Sequence, residues 1–120
     1  MKHSLYIIIC IVTVCLFSAC GDRHTAISLA EDFIDANATT PQQMEHRDFG
    51  KLGTTRLLND SLVSGMRSKP GKFYKSGIDY PDYHQGDTLY FIRMSFVCQG
   101  DSLSQTFYID KQLKHVVAVK

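Results

Sequence analysis

The sequence has no tryptophan, no HExxH, no two histidines four residues apart, no cysteine pair at zinc spacing, no GxSxG and no glycine-rich phosphate loop. These absences remove the usual supports for a zinc centre, a serine-hydrolase elbow and a nucleotide cradle, so neither a metal nor a cofactor is expected. Beyond its first residues the chain also lacks a cluster of Lys or Arg, and its 13 basic side chains nearly balance 12 acidic ones. Contact with a phosphate backbone needs a basic face, and nucleic acid is therefore not an expected partner. What is present, 44% hydrophobic residues in a chain of 120, is the composition of an ordinary globular protein with room for one small domain.

Charge is missing locally as well. From His3 to Gly21 there is no Asp, Glu, Lys or Arg. Met1-Lys2-His3 is a short basic start, LYIIICIVTVCLF is an apolar stretch, and Ser18-Ala19-Cys20 is a small-residue end. That three-part anatomy is a secretory signal. The apolar run from Leu5 to Ala19 is too short to remain as a spanning helix, since about 20 residues are needed to cross a hydrocarbon layer of roughly 30 Å.

Leu16, Phe17, Ser18, Ala19 and Cys20 resemble the lipobox of bacterial lipoproteins, in which small residues precede a cysteine that becomes the new N-terminus. Phe17 departs from the commoner Leu, Val or Ile. The resemblance implies cleavage between Ala19 and Cys20, a diacylglyceryl group on the Cys20 sulfur, and acylation, as by palmitate, of the freed amine. Each buried methylene adds about 0.8 kcal/mol of anchoring, so two or three chains hold a protein to a membrane where one does so only marginally. The alternative role for Cys20 is a disulfide. By likeness to enterobacterial sorting, Gly21 in place of Asp after the cysteine points to the outer membrane, and Asp22 followed at once by Arg23 offers no acidic run for surface export, so a periplasm-facing position is expected. The expected organisation is a signal peptide over 1–19, a lipidated tether over 20–24 and a single domain over 25–120.

Cysteine is then scarce where an exported domain would use it. Cys10 and Cys15 fall in the removable leader, leaving Cys20 and Cys98. With Cys20 acylated, Cys98 has no partner, and the 101 residues from Cys20 onward must fold on their apolar core alone. A chain of this size buries roughly 60–70% of its unfolded surface, which makes that feasible. Cys98, at the end of an apolar strand face, reads as a small buried hydrophobe or as a reactive thiol.

Along the rest of the chain, Ala26, Ile27, Ala30, Phe33 and Ile34 recur at offsets of three and four with acidic residues between them, which predicts an amphipathic helix capped by Asp22 or Thr25 and ended at Thr40-Pro41. Thr40, Pro41 and Gln43 predict a second short helix, broken by Gly50 and Gly53, and Thr54 or Thr55 a third, carrying Leu57, Leu58, Leu62, Val63 and Met66. After SKPG the period becomes two. TLYFIRMSFVC puts Tyr90, Ile92, Met94, Phe96 and Cys98 on the core face, QGDS is a hairpin turn, LSQTFYI and LKHVVAV are further strands, and KFYKSGIDY a weaker first one with Gly77 as a bulge.

Helices segregated on one side of about four antiparallel strands make a two-layer α+β domain. The element order over residues 25–119 resembles the cystatin-like α+β roll and its nuclear transport factor 2-like group, as found in many small lipoproteins of Bacteroidetes-type bacteria. That resemblance implies an N-terminal helix across a strongly curved sheet.

GIDYPDYHQGD, residues 77–87, is the densest polar cluster. Asp79, Tyr80, Asp82 and His84 form a candidate site, with His84 as base and Asp79 or Asp82 as its orienting carboxylate; the alternative is a polar connection in which Pro, Asp and Gly serve turn geometry. His46 is expected in water, His24 in the tether and His115 packed or at an edge on the last strand. Tyr74, Tyr90, Phe91, Met94, Phe96, Phe107 and Tyr108 either line an apolar cup or fill a core. Three functions remain open. The first is a membrane-anchored, non-enzymatic binding domain for an envelope protein or a small apolar ligand. The second is a small isomerase or hydrolase in a roll-fold cup, using His84 and Asp79, and the third is an immunity protein against a toxin delivered to the periplasm.

Overall fold

A computed structural model describes residues 21–69 and 71–120. The expected signal peptide, the cleavage at Ala19 and the acylation of Cys20 lie outside these residues.

The fold is organised on one hairpin. β3 (Leu89–Cys98) and β4 (Asp101–Ile109) pair antiparallel from Tyr90 opposite Ile109 to Cys98 opposite Asp101. Gln99 and Gly100 join them with φ of 51° and 83°, the doubly left-handed turn whose twist matches that of paired strands. Glycine adopts such a φ freely and glutamine does not. Replacing Gln99 by Asn is expected to raise stability by about 0.5 kcal/mol, read as a higher urea midpoint at unchanged slope.

Strand alternation then decides the layers. Ile92, Met94 and Phe96 are buried on one face, as expected, with Tyr90 and Cys98 half-buried at its ends. Against that face lies α1, helical through residues 21–37, whose Ala26, Ala30 and Ile34 are wholly buried. Two alanines in the stripe let the helix backbone approach the sheet closely, and Phe107, Ile109 and Val116 complete the core. Because Gly21 is already helical, neither Asp22 nor Thr25 caps α1. Thr25 Oγ1 instead donates to the Gly21 carbonyl (2.9 Å), and Arg23 donates through Nε and Nη2 to the carbonyls of Gly50 (3.0 Å) and Phe49 (2.7 Å). Residues 21–24 are thus helical and tied to the sheet.

The middle of the chain departs from expectation. Pro41–Gln43 is a single 3-10 turn, ended where Arg47 Nε and Nη2 donate to the carbonyls of Met44 (3.0 Å) and Pro41 (2.9 Å). The segment expected to continue as a helix is β1 (Glu45–Phe49), paired with β3 through a bulge at which His46 has φ 53°. Five residues cannot cover the cost of nucleating a helix, whereas the open side of β3 supplies backbone partners at once. Gly53, expected to break a helix, and Thr54 and Thr55, expected to cap the next, form β2 (Gly53–Thr55), also on β3. The helix expected there, α2 (Asp60–Ser68), starts five residues later, with Asn59 Oδ1 accepting from the Leu62 N–H (2.8 Å).

KFYKSGIDY is not a strand of the sheet. Both sides of β3 are taken, and the segment bonds to the end of α1 instead: Ala38 bridges Tyr74, Thr39 N–H donates to Phe73 O and Lys75 N–H to Asn37 O. With β5 (Val116–Val119) the sheet has five strands in the order β1-β3-β4-β5, β2 lying beside β3 next to β1. The two helices are not on one side. Val63 of α2 packs with Leu89, Val117 and Ala118 in a second cluster, and Leu89 points opposite to Ile92. The architecture is α+β on an open antiparallel sheet, with α1 across one face and α2 over the β5 end of the other.

Candidate functional site

The 77–87 segment shows first how its residues divide. Its aromatic rings point inward and anchor it. Tyr80 stacks on Phe33 (5.9 Å between centroids, 28°), the Arg67 guanidinium lies 5.0 Å over its other surface, and Tyr83 Oη donates to the Leu58 carbonyl. Arg67 also donates through Nη2 to Pro81 O and through Nε to Val117 O (3.0 Å), so one side chain joins α2, the loop and the β5 edge. Burial raises the Tyr80 hydroxyl above its ordinary pKa against the opposing pull of Arg67.

The polar members point outward, and His84 does not join the two carboxylates. Asp79 and Asp82 are exposed and, with Tyr80, Pro81 and His115, line a shallow depression of about 410 Å³. His84 is absent from it, exposed in a turn where its N–H donates to Asp87 Oδ2 (3.3 Å) and its carbonyl accepts from the Asp87 N–H (3.1 Å). The histidine that approaches Asp79 and Asp82 is His115, exposed just before β5. A neighbouring cleft of about 450 Å³ mixes Arg56 and Lys111 with Asp82, Asp87 and Asp110, and Arg56 Nε is held by Thr88 Oγ1 (2.8 Å). Among the described residues no three His, Cys, Asp or Glu come close enough to hold a metal ion, and no helix is long and apolar enough to cross a membrane.

The expected cup aromatics divide between the layers. Tyr74, Met94, Phe96 and Phe107 are buried under α1, Tyr90 is half-buried beside them, and Phe91 and Tyr108 approach each other on the opposite face (6.5 Å). Cys98 is a half-buried free thiol packed against the main core.

Sequence reasoning missed a further concavity, a trough of about 630 Å³ that runs between α2, the segment after it and the end of β5. Leu62, Met66, Phe73 and Val119 give it apolar walls, and Lys69, Lys72 and Lys120 surround them. Leu62 is 51% exposed there, and Lys72 Nζ sits 5.2 Å over the Phe73 ring. One detectable signal was the interleaving of Lys69, Lys72 and Phe73 after an amphipathic helix. The other contributors come from the far end of the chain.

Tyr74 closes one end of the trough. Its ring is buried and its hydroxyl donates to Gln105 Oε1. Burial, then the neighbouring Tyr80, pushes its pKa far above the ordinary value of about 10. The folded protein therefore keeps this proton at pH values where the unfolded chain releases it. Stability from Tyr74 is complete below pH 10 and falls as pH rises above it. Urea midpoints measured from pH 8 to 11.5 are expected to drop less steeply for Tyr74→Phe than for the natural chain.

Comparison with known proteins finds no matching family model, no similar curated protein and no similar solved structure.

Proposed function

We propose that the protein is a bacterial envelope lipoprotein, anchored through Cys20 in the outer membrane and facing the periplasm, whose α+β domain binds a partner without catalysing a reaction. The observation that carries the anchor is the uncharged run ending in Leu16-Phe17-Ser18-Ala19-Cys20, which in sequence directly precedes the helical residue Gly21. Binding rather than catalysis is supported by the outward splay of Asp79, Asp82 and His84, which weighs against an isomerase or hydrolase built on them. The open trough of about 630 Å³ supplies a binding surface in its place.

The test is metabolic labelling with a clickable palmitate, followed by membrane fractionation. The natural chain is expected to carry label and sediment with membranes, and Cys20→Ala to lose both. An unlabelled natural chain, or a label that persists in Cys20→Ala, overturns the anchor.

A further inference from the structure

We infer that the trough beside β5 docks an extended peptide segment of another envelope protein, one that alternates carboxylate and apolar side chains. This deepens the binding half of the reading above and rests on it. Charge is the first observation. The chain as a whole is almost neutral, yet Lys69, Lys72 and Lys120 line the trough and no Asp or Glu side chain does. A local excess of one sign selects a ligand of the other and rejects its own. The apolar walls, with Leu62 half in water, add a second requirement: the occupant must bury hydrophobic groups between its charges.

The backbone states the shape of that occupant. Lys120 exchanges both hydrogen bonds with Thr106 (2.9 and 3.0 Å), and in an antiparallel ladder the next residue in, Val119, then directs its N–H and C=O away from β4. Two residues earlier the outward carbonyl, that of Val117, is taken by Arg67. Strand addition at Val119 thus begins where Arg67 stops guarding the edge, and the trough offers an added strand both apolar and cationic side chains. An enclosed cavity is what a small apolar ligand needs, and this trough is open to solvent.

Position separates peptide from lipid. Cys20 precedes the described part of α1 in sequence, whereas Tyr74 of the trough pairs with Ala38 just beyond the helix's C-terminal end. Residues 21–37 rise about 25 Å at 1.5 Å per residue, so the length of the helix separates the trough from the proposed lipidated residue.

A displayed library of random ten-residue peptides, selected on the full chain purified from membranes into nanodiscs, provides the probe. Selected peptides are expected to alternate acidic and apolar residues. Their affinity is expected to fall about tenfold for Lys69→Glu/Lys72→Glu, both exposed lysines, and about as much between 50 and 500 mM salt. Val119→Pro, which removes one outward N–H, is expected to weaken binding several-fold, while Lys111→Glu/Lys114→Glu, on the β4–β5 turn, leaves it unchanged. Selected peptides without acidic enrichment, full affinity in the Lys69/Lys72 variant, or tight binding of dodecanoate with no peptide selected would each overturn the proposal. Repeating the measurement on Cys20→Ala keeps the two readings apart. Peptide binding by a natural chain without palmitate sinks the anchor alone, and palmitate without peptide binding sinks the trough alone.

Discussion

Phe107→Ala is expected to destabilise the domain by about 3–5 kcal/mol. Phe107 is wholly buried near the end of β4, opposite Ile92 on β3 and Val119 on β5, and its ring packs at 77° to that of Phe33 from α1, 6.2 Å between centroids. Truncation removes one of the contacts that join helix to sheet and leaves a void that close-packed neighbours fill only in part. For a domain near 100 residues the melting midpoint would fall by roughly 15–30 °C, readable by circular dichroism. Phe107→Leu keeps most of the volume and is expected to cost less than half as much. An alanine variant within 1 kcal/mol of the natural chain would mean that α1 is not held by this core.

The second large effect is expected at Arg67. Its guanidinium donates to carbonyls of Pro81 and Val117 and covers Tyr80. Arg67→Ala leaves two part-buried carbonyls unpaired and removes a cation from an aromatic surface, a loss of about 2–3 kcal/mol. Arg67→Lys is expected to recover little, because an ammonium cannot present two divergent donors in one plane. Hydrogen exchange separates this from general weakening: protection should fall first across residues 77–88 and β5, with the β3–β4 hairpin retaining its own. Uniform loss of protection would contradict the clamp.

Where helix and hairpin signals were carried by side chains alone, they were legible. Ala26, Ala30 and Ile34 lie on one stripe of any helix, and Ile92, Met94 and Phe96 on one face of any strand, so burial followed from period. β1 was not legible, because EHRDF has no apolar alternation and is a strand only through the vacancy beside β3. Gly53 misled for a related reason. Beside Thr54 and Thr55 it reads as a helix boundary, but a Cβ there would lie 2.5 Å from the Phe91 ring, and the glycine exists to let that ring lie across β2. In the polar cluster, closeness in sequence did not produce convergence, since inward anchoring of Tyr80 and Tyr83 turned Asp79, Asp82 and His84 to water. The trough joins Leu62 and Lys72, close in sequence, to Val119 at the far end of the chain, a juxtaposition no local window contains.

The alanine stripe of α1 also has a consequence in time. Ribosomes make α1 before any strand, yet the surfaces it lies on, from Ile92 to Val116, come from the last quarter of the chain. Until the β3–β4 hairpin follows, Ala26, Ala30 and Ile34 lack most of their cover, so the helix waits largely unpartnered and the domain closes in one late step. A stop codon anywhere before β5 would then yield a chain that never assembles rather than a shortened but working one.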